Sequence, residues 1–305
     1  MQENKFTVRE FENTPIETVK LLIENGRPIT VFAPLIIVSL YYFIYVDSIT
    51  KIETWINYIL LLFGVATLRM GINNVNNVYD VEIDKINKPH RPIPRGDLEK
   101  ESAFIIGTVF QFISLFVFML LSLEAFLLDL SFVIVGWLYN IDNGLKNYFP
   151  INNLIIGYVR GFGYLLALMI VGEPITQIHL IFAISITLYI FGSINSKDIN
   201  DVDGDKAMNR QTLPIILGSR NRYLAAISAP FIFSPIFIFG YGVFIGSISS
   251  IYLLLMITIP LDIGIVYFIQ KASTTKLVEN NIAWLFMIIT YLSHHIIFSM
   301  ILIYS

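Results

Sequence analysis

Apolar runs of bilayer length recur along this chain, separated by short polar breaks. Crossing the hydrocarbon core as a helix takes roughly 20 mainly apolar residues, so the pattern predicts an all-α integral membrane protein of about nine transmembrane helices. The expected spans lie near 30–46, 55–79, 102–121, 124–140, 152–171, 176–197, 222–241, 248–270 and 281–304. Only a turn around Ser122 to Glu124 parts the third from the fourth. Residues 14–26 read as a short amphipathic helix lying on the membrane surface before the first span. No Gly/Ser-rich or Pro-rich linker interrupts residues 1–305, so a single transmembrane domain is expected, with 1–27 as its N-terminal segment. The polar start, Met1 to Asn13, has no short apolar core and predicts no cleaved signal peptide.

Charge placement supports this count. With nine spans, the N-terminus and every second loop share one side, and that side collects 17 of the lysines and arginines, from Lys5 to Lys276. The other side holds Lys51 alone, while Arg69 and Arg160 fall inside spans. By the positive-inside rule the N-terminal side, with the loops discussed below, is expected to be cytoplasmic, in a multi-pass protein of the cell membrane. Composition agrees: 55% of residues are hydrophobic and 14% charged, and mean hydropathy is +0.69. A net charge of −3 gives no argument for nucleic acid, and no obligate protein partner is implied. The absence of cysteine excludes disulfides, thiolate metal sites and cysteine nucleophiles.

The polar positions that remain are ordered. The second span runs into NNVNNVYDVEIDKINKPHRPIP and the sixth into INSKDINDVDGDKAMNRQTLP, a weak internal repeat with aspartates four apart in each copy. Helical spacing puts Arg69, Asn73, Asn76, Asp80 and Asp84 on one face, and Asp198, Asp201 and Asp205 on another. An even number of crossings separates the two clusters, so both face the same side. Five aspartates cannot share a low-dielectric site without cations. Hard oxygen donors, with no cysteine and no ordered histidine pair, point to Mg²⁺, which takes a few carboxylates together with substrate phosphate. The bland alternative is a pair of solvated acidic helix ends. It leaves the shared register and the repetition unexplained.

Arginines inside spans are costly and by default mark function. Arg69 and Arg160 suit phosphate oxygens, although each could instead neutralise a buried aspartate. Lys146, in the fourth-to-fifth connection, and Arg91 and Arg95, in the loop after the first cluster, could reach the same anion. Arg91 and Arg95 could equally serve as positive-inside anchors. His294 and His295 read as packing or interhelix hydrogen bonding, and none of the four histidines looks like a general base. Some of the 24 Phe and 16 Tyr should line a channel for an isoprenoid chain. Tyr139, near the cytoplasmic end of the fourth span, is a candidate to steady an allylic cation.

These motifs resemble the UbiA superfamily of membrane prenyltransferases. Asn76, Asp80 and Asp84 match its N-x-x-x-D-x-x-x-D element. Asp201 and Asp205 match its D-x-x-x-D element, with Asp198 an additional upstream aspartate. The resemblance covers nearly the whole chain and implies nine helices around a central cavity, capped on the cytoplasmic side. It implies Mg²⁺, two ions or more, held by Asp80, Asp84, Asp201, Asp205 and Asn76. Arg69, Lys146, Arg160, Arg91, Asp198 and Tyr139 would then surround the substrate diphosphate. Within the superfamily the flanking EIDKIN and TLP patterns look most like the archaeal digeranylgeranylglyceryl phosphate synthases. That branch implies transfer of a geranylgeranyl-type group from its diphosphate to a lipophilic acceptor, geranylgeranylglyceryl phosphate, in membrane lipid synthesis. Same-fold transferases with aromatic or chlorin acceptors, a terpene cyclase, and a secondary transporter are the alternatives. Two positions depart from the family: Thr30 replaces an asparagine, and Asn209 replaces the glycine after the last aspartate, where asparagine tolerates a left-handed turn.

Overall fold

The computed structural model describes residues 14–218 and 282–304, with single positions at 259, 260, 263, 264 and 267. The first helix, α1 (Pro15–Asn25), begins at a capping box between Thr14 and Glu17, with proline at its first position. Its apolar residues Ile16 and Val19 are exposed, as a helix lying on a lipid surface requires. Gly26 and Arg27, the latter at φ 54°, turn the chain by 72° into α2 (Ile29–Tyr45).

The next helix, α3 (Ile52–Tyr79), is followed by short α4 (Val81–Asn87) and α5 (Pro92–Arg95). Two long apolar helices, α6 (Lys100–Leu121) and α7 (Leu123–Asn140), meet at Ser122, where the break was expected. The extended Ser122 ends one helix, and its hydroxyl accepts from the Ala125 amide to cap the other. A 3₁₀ turn (Leu145–Asn147) leads to α8 (Ile151–Phe162) and α9 (Leu165–Val171), which together form one crossing. Then come α10 (Gln177–Ser193), α11 (Asn195–Ala207), α12 (Leu213–Leu217) and α13 (Ile282–Tyr304).

Among the described residues four helices are long and apolar enough to cross a membrane, and a fifth crossing results if the bent α1–α2 pair counts as one. Shorter apolar helices occupy two further expected spans, at Gln177–Ser193 and Met287–Met300. The expected spans at 222–241 and 248–270 lie outside the described residues, apart from single positions between 259 and 267.

Apolar side chains cover the outside of the bundle as well as filling its core. On α6, Phe112, Phe116 and Leu120 are exposed, whereas Gly107, Gln111, Ser114 and Phe118 face the protein. Where the solvent is lipid, apolar burial gives little drive, and helices associate through close backbone approach and polar contacts. Two such approaches stand out. A Cβ on Gly71 of α3 would sit 2.8 Å from the Gly107 carbonyl oxygen of α6. One on Gly157 of α8 would sit 2.6 Å from the Thr187 carbonyl oxygen of α10. Gly157→Val should therefore separate α8 from α10 and lower stability by about 1–3 kcal/mol, the usual cost of overpacking. Thermal unfolding in detergent checks this; an unchanged midpoint would show that the crossing is looser than described.

Away from the aspartates, α2, α9, α10 and α13 close on an aromatic cluster. Tyr41, Tyr164, Phe182 and Tyr291 surround the His295 ring, whose Nδ1 lies 3.2 Å from the Tyr41 hydroxyl. His294 Nδ1 lies 2.7 Å from the Thr290 carbonyl oxygen. Both histidines are packing residues, as their sequence setting suggested.

Candidate functional site

The aspartate motifs sit where α3 and α10 emerge from the apolar bundle. Asp80 breaks the helix between α3 and α4, but hydrogen bonding continues through it. The Asp80 amide donates to the Asn76 carbonyl, Asp84 to Asp80, and Lys88 to Asp84, at 3.0, 2.7 and 2.7 Å. Asn76, Asp80, Asp84 and Lys88 thus stay on one face, as the four-residue spacing requires. Opposite them, α11 carries Asp198, Asp201 and Asp205. The end of α4 is fixed to α11 by neutral contacts: Asn87 Nδ2 donates to the Asp201 carbonyl at 3.0 Å, and the Gly204 amide donates to Asn87 Oδ1 at 3.1 Å. A Cβ at Gly204 would lie 2.5 Å from Asn87 Nδ2, so a side chain there would push the Asn87 amide aside.

Basic side chains fill the space between the two motifs. Lys88 Nζ is 2.8 Å from Asp201 and 4.0 Å from Asp84. The Arg210 guanidinium pairs with Asp80 and reaches to 3.8 Å from Asp205. Lys146 Nζ lies 2.8 Å from Asp80 and over the Tyr79 ring, 5.5 Å from its centre. Arg91 Nη1 is 2.7 Å from Asp84. Burial alone would raise the Asp80 carboxyl, but Lys146 and Arg210 outweigh it and hold the group well below the usual carboxylate range. Burial lowers Lys146, partly offset by Asp80. Arg210 is raised: burial opposes its charge, but Asp80 and Asp205 favour it more strongly. Among the described residues, no three acidic or histidine side chains converge closely enough to enclose a metal ion.

The connecting segments are tied to each other as well. The Gln211 amide donates to the Asn147 carbonyl at 2.9 Å, the Phe149 amide to Gln211 at 3.1 Å, and Arg210 Nε to Asn147 Oδ1 at 3.2 Å. Asn209 adopts φ 56°, the left-handed turn its sequence position called for.

Each expected site residue can now be placed. Asp80, Asp84, Asp201 and Asp205 come together with Lys146 and Arg91. Asn76 is at the edge of this group, donating to Asn140 at 2.8 Å and accepting from Arg27 at 3.4 Å. Tyr139 is close enough to feel the charges of Asp80, Arg210, Asp198 and Asp205. Arg69 and Arg160 are not brought to the aspartates. Arg69 precedes Asp80 by 11 residues, about 16 Å along a helix. Both arginines line a separate, mainly apolar cavity with Leu68, Phe132 and Tyr291, near enough to repel one another. Among the described residues neither has an acidic partner, so the idea that each neutralises a buried aspartate finds no support there.

The neighbouring asparagines are structural. Asn73 holds the Gly26 carbonyl and Thr30, while Asn74 and Asn77 hold Asn25. Thr30 thus keeps a polar tie to α3 despite replacing the family's asparagine. Lys88 and Arg210 were not singled out from the sequence. Lys88 was readable as the next step of the four-residue series, whereas Arg210 lies beyond the Asn209 turn and carries no periodic signal.

A polytopic helical membrane protein with two facing aspartate motifs at one end of an apolar bundle defines a recognisable class. The family model described as the UbiA prenyltransferase family matches residues 31–295. The chain belongs to that family. It is 34% identical over 163 residues to digeranylgeranylglyceryl phosphate synthase of Thermococcus sibiricus, covering 52% of this chain and 56% of that protein. It is 33% identical over 156 residues to the enzyme of the same name from Pyrococcus horikoshii, covering 50% and 54%. The chain thus spans a little over half the length of these curated relatives. A solved UbiA homolog from Archaeoglobus fulgidus bound to GPP and Mg²⁺ superposes with a TM-score of 0.72 at 16% identity, covering 92% of this chain and 99% of that one. It shares the fold.

Proposed function

We propose that this protein is a Mg²⁺-dependent prenyltransferase that moves a geranylgeranyl-type group from its diphosphate to a lipophilic acceptor, geranylgeranylglyceryl phosphate. The observation that carries this reading is the meeting of the two aspartate motifs, in helical register, at the mouth of an apolar bundle. The named relatives favour the archaeal ether-lipid acceptor. The homolog solved with GPP and Mg²⁺ favours a prenyl diphosphate substrate.

The donor set fits the metal, since Asp80, Asp84, Asp201 and Asp205 present only hard oxygen ligands. Asp80 and Asp84 would hold one ion and Asp201 and Asp205 another, with Asn76 and Asp198 completing or orienting these groups. Bound Mg²⁺ would neutralise and orient the diphosphate. The C1–O bond of the prenyl diphosphate breaks with its electron pair leaving on the diphosphate. Lys146 and Arg91 sit where they meet that growing charge. Stabilising developing charge with groups already in place is usually the largest catalytic contribution. Arg69 and Arg160 supply positive charge on the wall of the inner cavity, for an anionic part of a substrate. The allylic cation is shielded from water by apolar walls and steadied by the Tyr139 ring. The acceptor hydroxyl attacks C1, and its proton passes to the departing diphosphate. Basic residues dominate the loops on the aspartate side, which supports a cytoplasmic site and N-terminus.

The test supplies labelled geranylgeranyl diphosphate to the purified protein with geranylgeranylglyceryl phosphate or with an aromatic acceptor, and identifies products by mass spectrometry. A doubly prenylated glyceryl phosphate is expected. A prenylated aromatic product alone would overturn the acceptor and keep the reaction class. A cyclised hydrocarbon, or no product, would overturn the transferase reading.

A further inference from the structure

Two of the basic side chains between the motifs each touch one aspartate from each motif. Lys88 spans Asp201, at 2.8 Å, and Asp84, at 4.0 Å. Arg210 pairs with Asp80 and lies 3.8 Å from Asp205. Arg91 and Lys146 pair with the first motif, through Asp84 and Asp80 respectively. The bridges pair the motifs in antiparallel order, Asp84 with Asp201 and Asp80 with Asp205. In the proposed reading, too, the two motifs are joined, through a diphosphate engaged by an ion on each. The ammonium and the guanidinium therefore stand between carboxylates that the substrate complex must engage.

The helices are joined by other contacts besides these bridges. The neutral contacts of Asn87 with the Asp201 carbonyl and the Gly204 amide already join α4 to α11. Gln211 and Asn147 likewise join the two loops without Arg210. What the charged bridges add is compensation of the carboxylates. Unpaired carboxylates facing each other at low exposure would repel, and Asp84 and Asp205 are only 2% and 3% exposed.

We propose that Lys88 and Arg210 are resident counter-ions of the two motifs, which hold the aspartates in the ligand-free protein and must be displaced before a divalent cation binds. This rests on the reading of the motifs as a metal site. It makes the empty protein a poor binder of metal alone. Metal arriving with diphosphate succeeds, because the displaced Lys88 and Arg210 then have phosphate oxygens to pair with. The device keeps the motifs from filling unproductively with free Mg²⁺ while leaving them assembled.

The test measures Mn²⁺ binding to the full-length purified protein by electron paramagnetic resonance, with no diphosphate present. Lys88→Met should bind Mn²⁺ at least about fivefold more tightly than wild type, because a competing cation is gone. Arg210→Gln is an independent variant of the second bridge and should shift in the same direction. Lys85→Met removes the same charge from the exposed pair with Glu82, and should shift binding little. Conversely, with diphosphate added, the advantage of Lys88→Met should shrink or reverse. If Lys88→Met and Arg210→Gln bind Mn²⁺ as wild type does or more weakly, the counter-ion proposal is overturned and the metal reading stands. If neither wild type nor any variant binds Mn²⁺, with or without diphosphate, the metal reading itself is overturned.

Discussion

Asp80→Asn is expected to lower prenyl-transfer turnover by about 10²–10³-fold, the range seen when one preorganised electrostatic group is removed from a reacting centre. Asp80 is where the site's charges meet: Lys146 lies 2.8 Å from it and Arg210 also pairs with it. An amide keeps the side chain's shape and one acceptor oxygen, so both basic groups retain a partner. It removes the negative charge that a metal ion needs. The loss should therefore appear in turnover of the folded protein, with some fall in melting temperature because Lys146 and Arg210 lose the charge they pair with. Near-normal turnover would remove Asp80 from the metal site. A collapse in stability would show that its main role is to compensate Lys146 and Arg210.

The largest stability effect is expected at Arg91. Asp84 is 2% exposed and Arg91 7%, and their 2.7 Å contact is an ion pair set away from water. Removing one partner of such a pair leaves a charge that water does not reach, at a cost of about 3–5 kcal/mol. Lys88, at 4.0 Å from Asp84 and engaged with Asp201, compensates only in part. Arg91 also reaches Asn77 at 3.5 Å, and Asn77 holds Asn25 at the end of α1. Arg91→Met should thus destabilise the protein in a denaturant titration and loosen the surface helix. Arg91→Lys should recover only part of the loss, since an ammonium lacks the planar fork of donors. A change below about 0.5 kcal/mol for Arg91→Met, the range of ordinary surface substitutions, would contradict the account.

The contrast between Asp80 and Arg91 shows what the sequence could and could not disclose. Asn76, Asp80 and Asp84 were legible because helical periodicity is a local property, and the register survives the break at Asp80. The break at Ser122 was legible locally too, whereas the left-handed turn at Asn209 came from the family resemblance. The surface helix showed in its amphipathic pattern. Pairing across the chain was not local. Nothing in the spacing of Arg91 separates a membrane anchor from the partner of Asp84, and only the approach of α4 to α11 places Lys88 beside Asp201. Arg69 shares a helical face with Asn76, which suggested a shared ligand. Two turns of rise carry it instead into the cavity with Arg160, whose depth depends on how α3 and α8 are offset. The asparagines at 73, 74 and 77 fasten α1 and Thr30 to α3, contacts between elements that no local spacing announces.

The measurement that bears most directly on the central claim is release of inorganic diphosphate by the purified protein. Geranylgeranyl diphosphate and geranylgeranylglyceryl phosphate would be supplied together, with Mg²⁺ in one arm and EDTA in the other. The account predicts release that requires both Mg²⁺ and the acceptor, in equal amount to the prenylated product. Release that continues in EDTA, or no release in either arm, would contradict it.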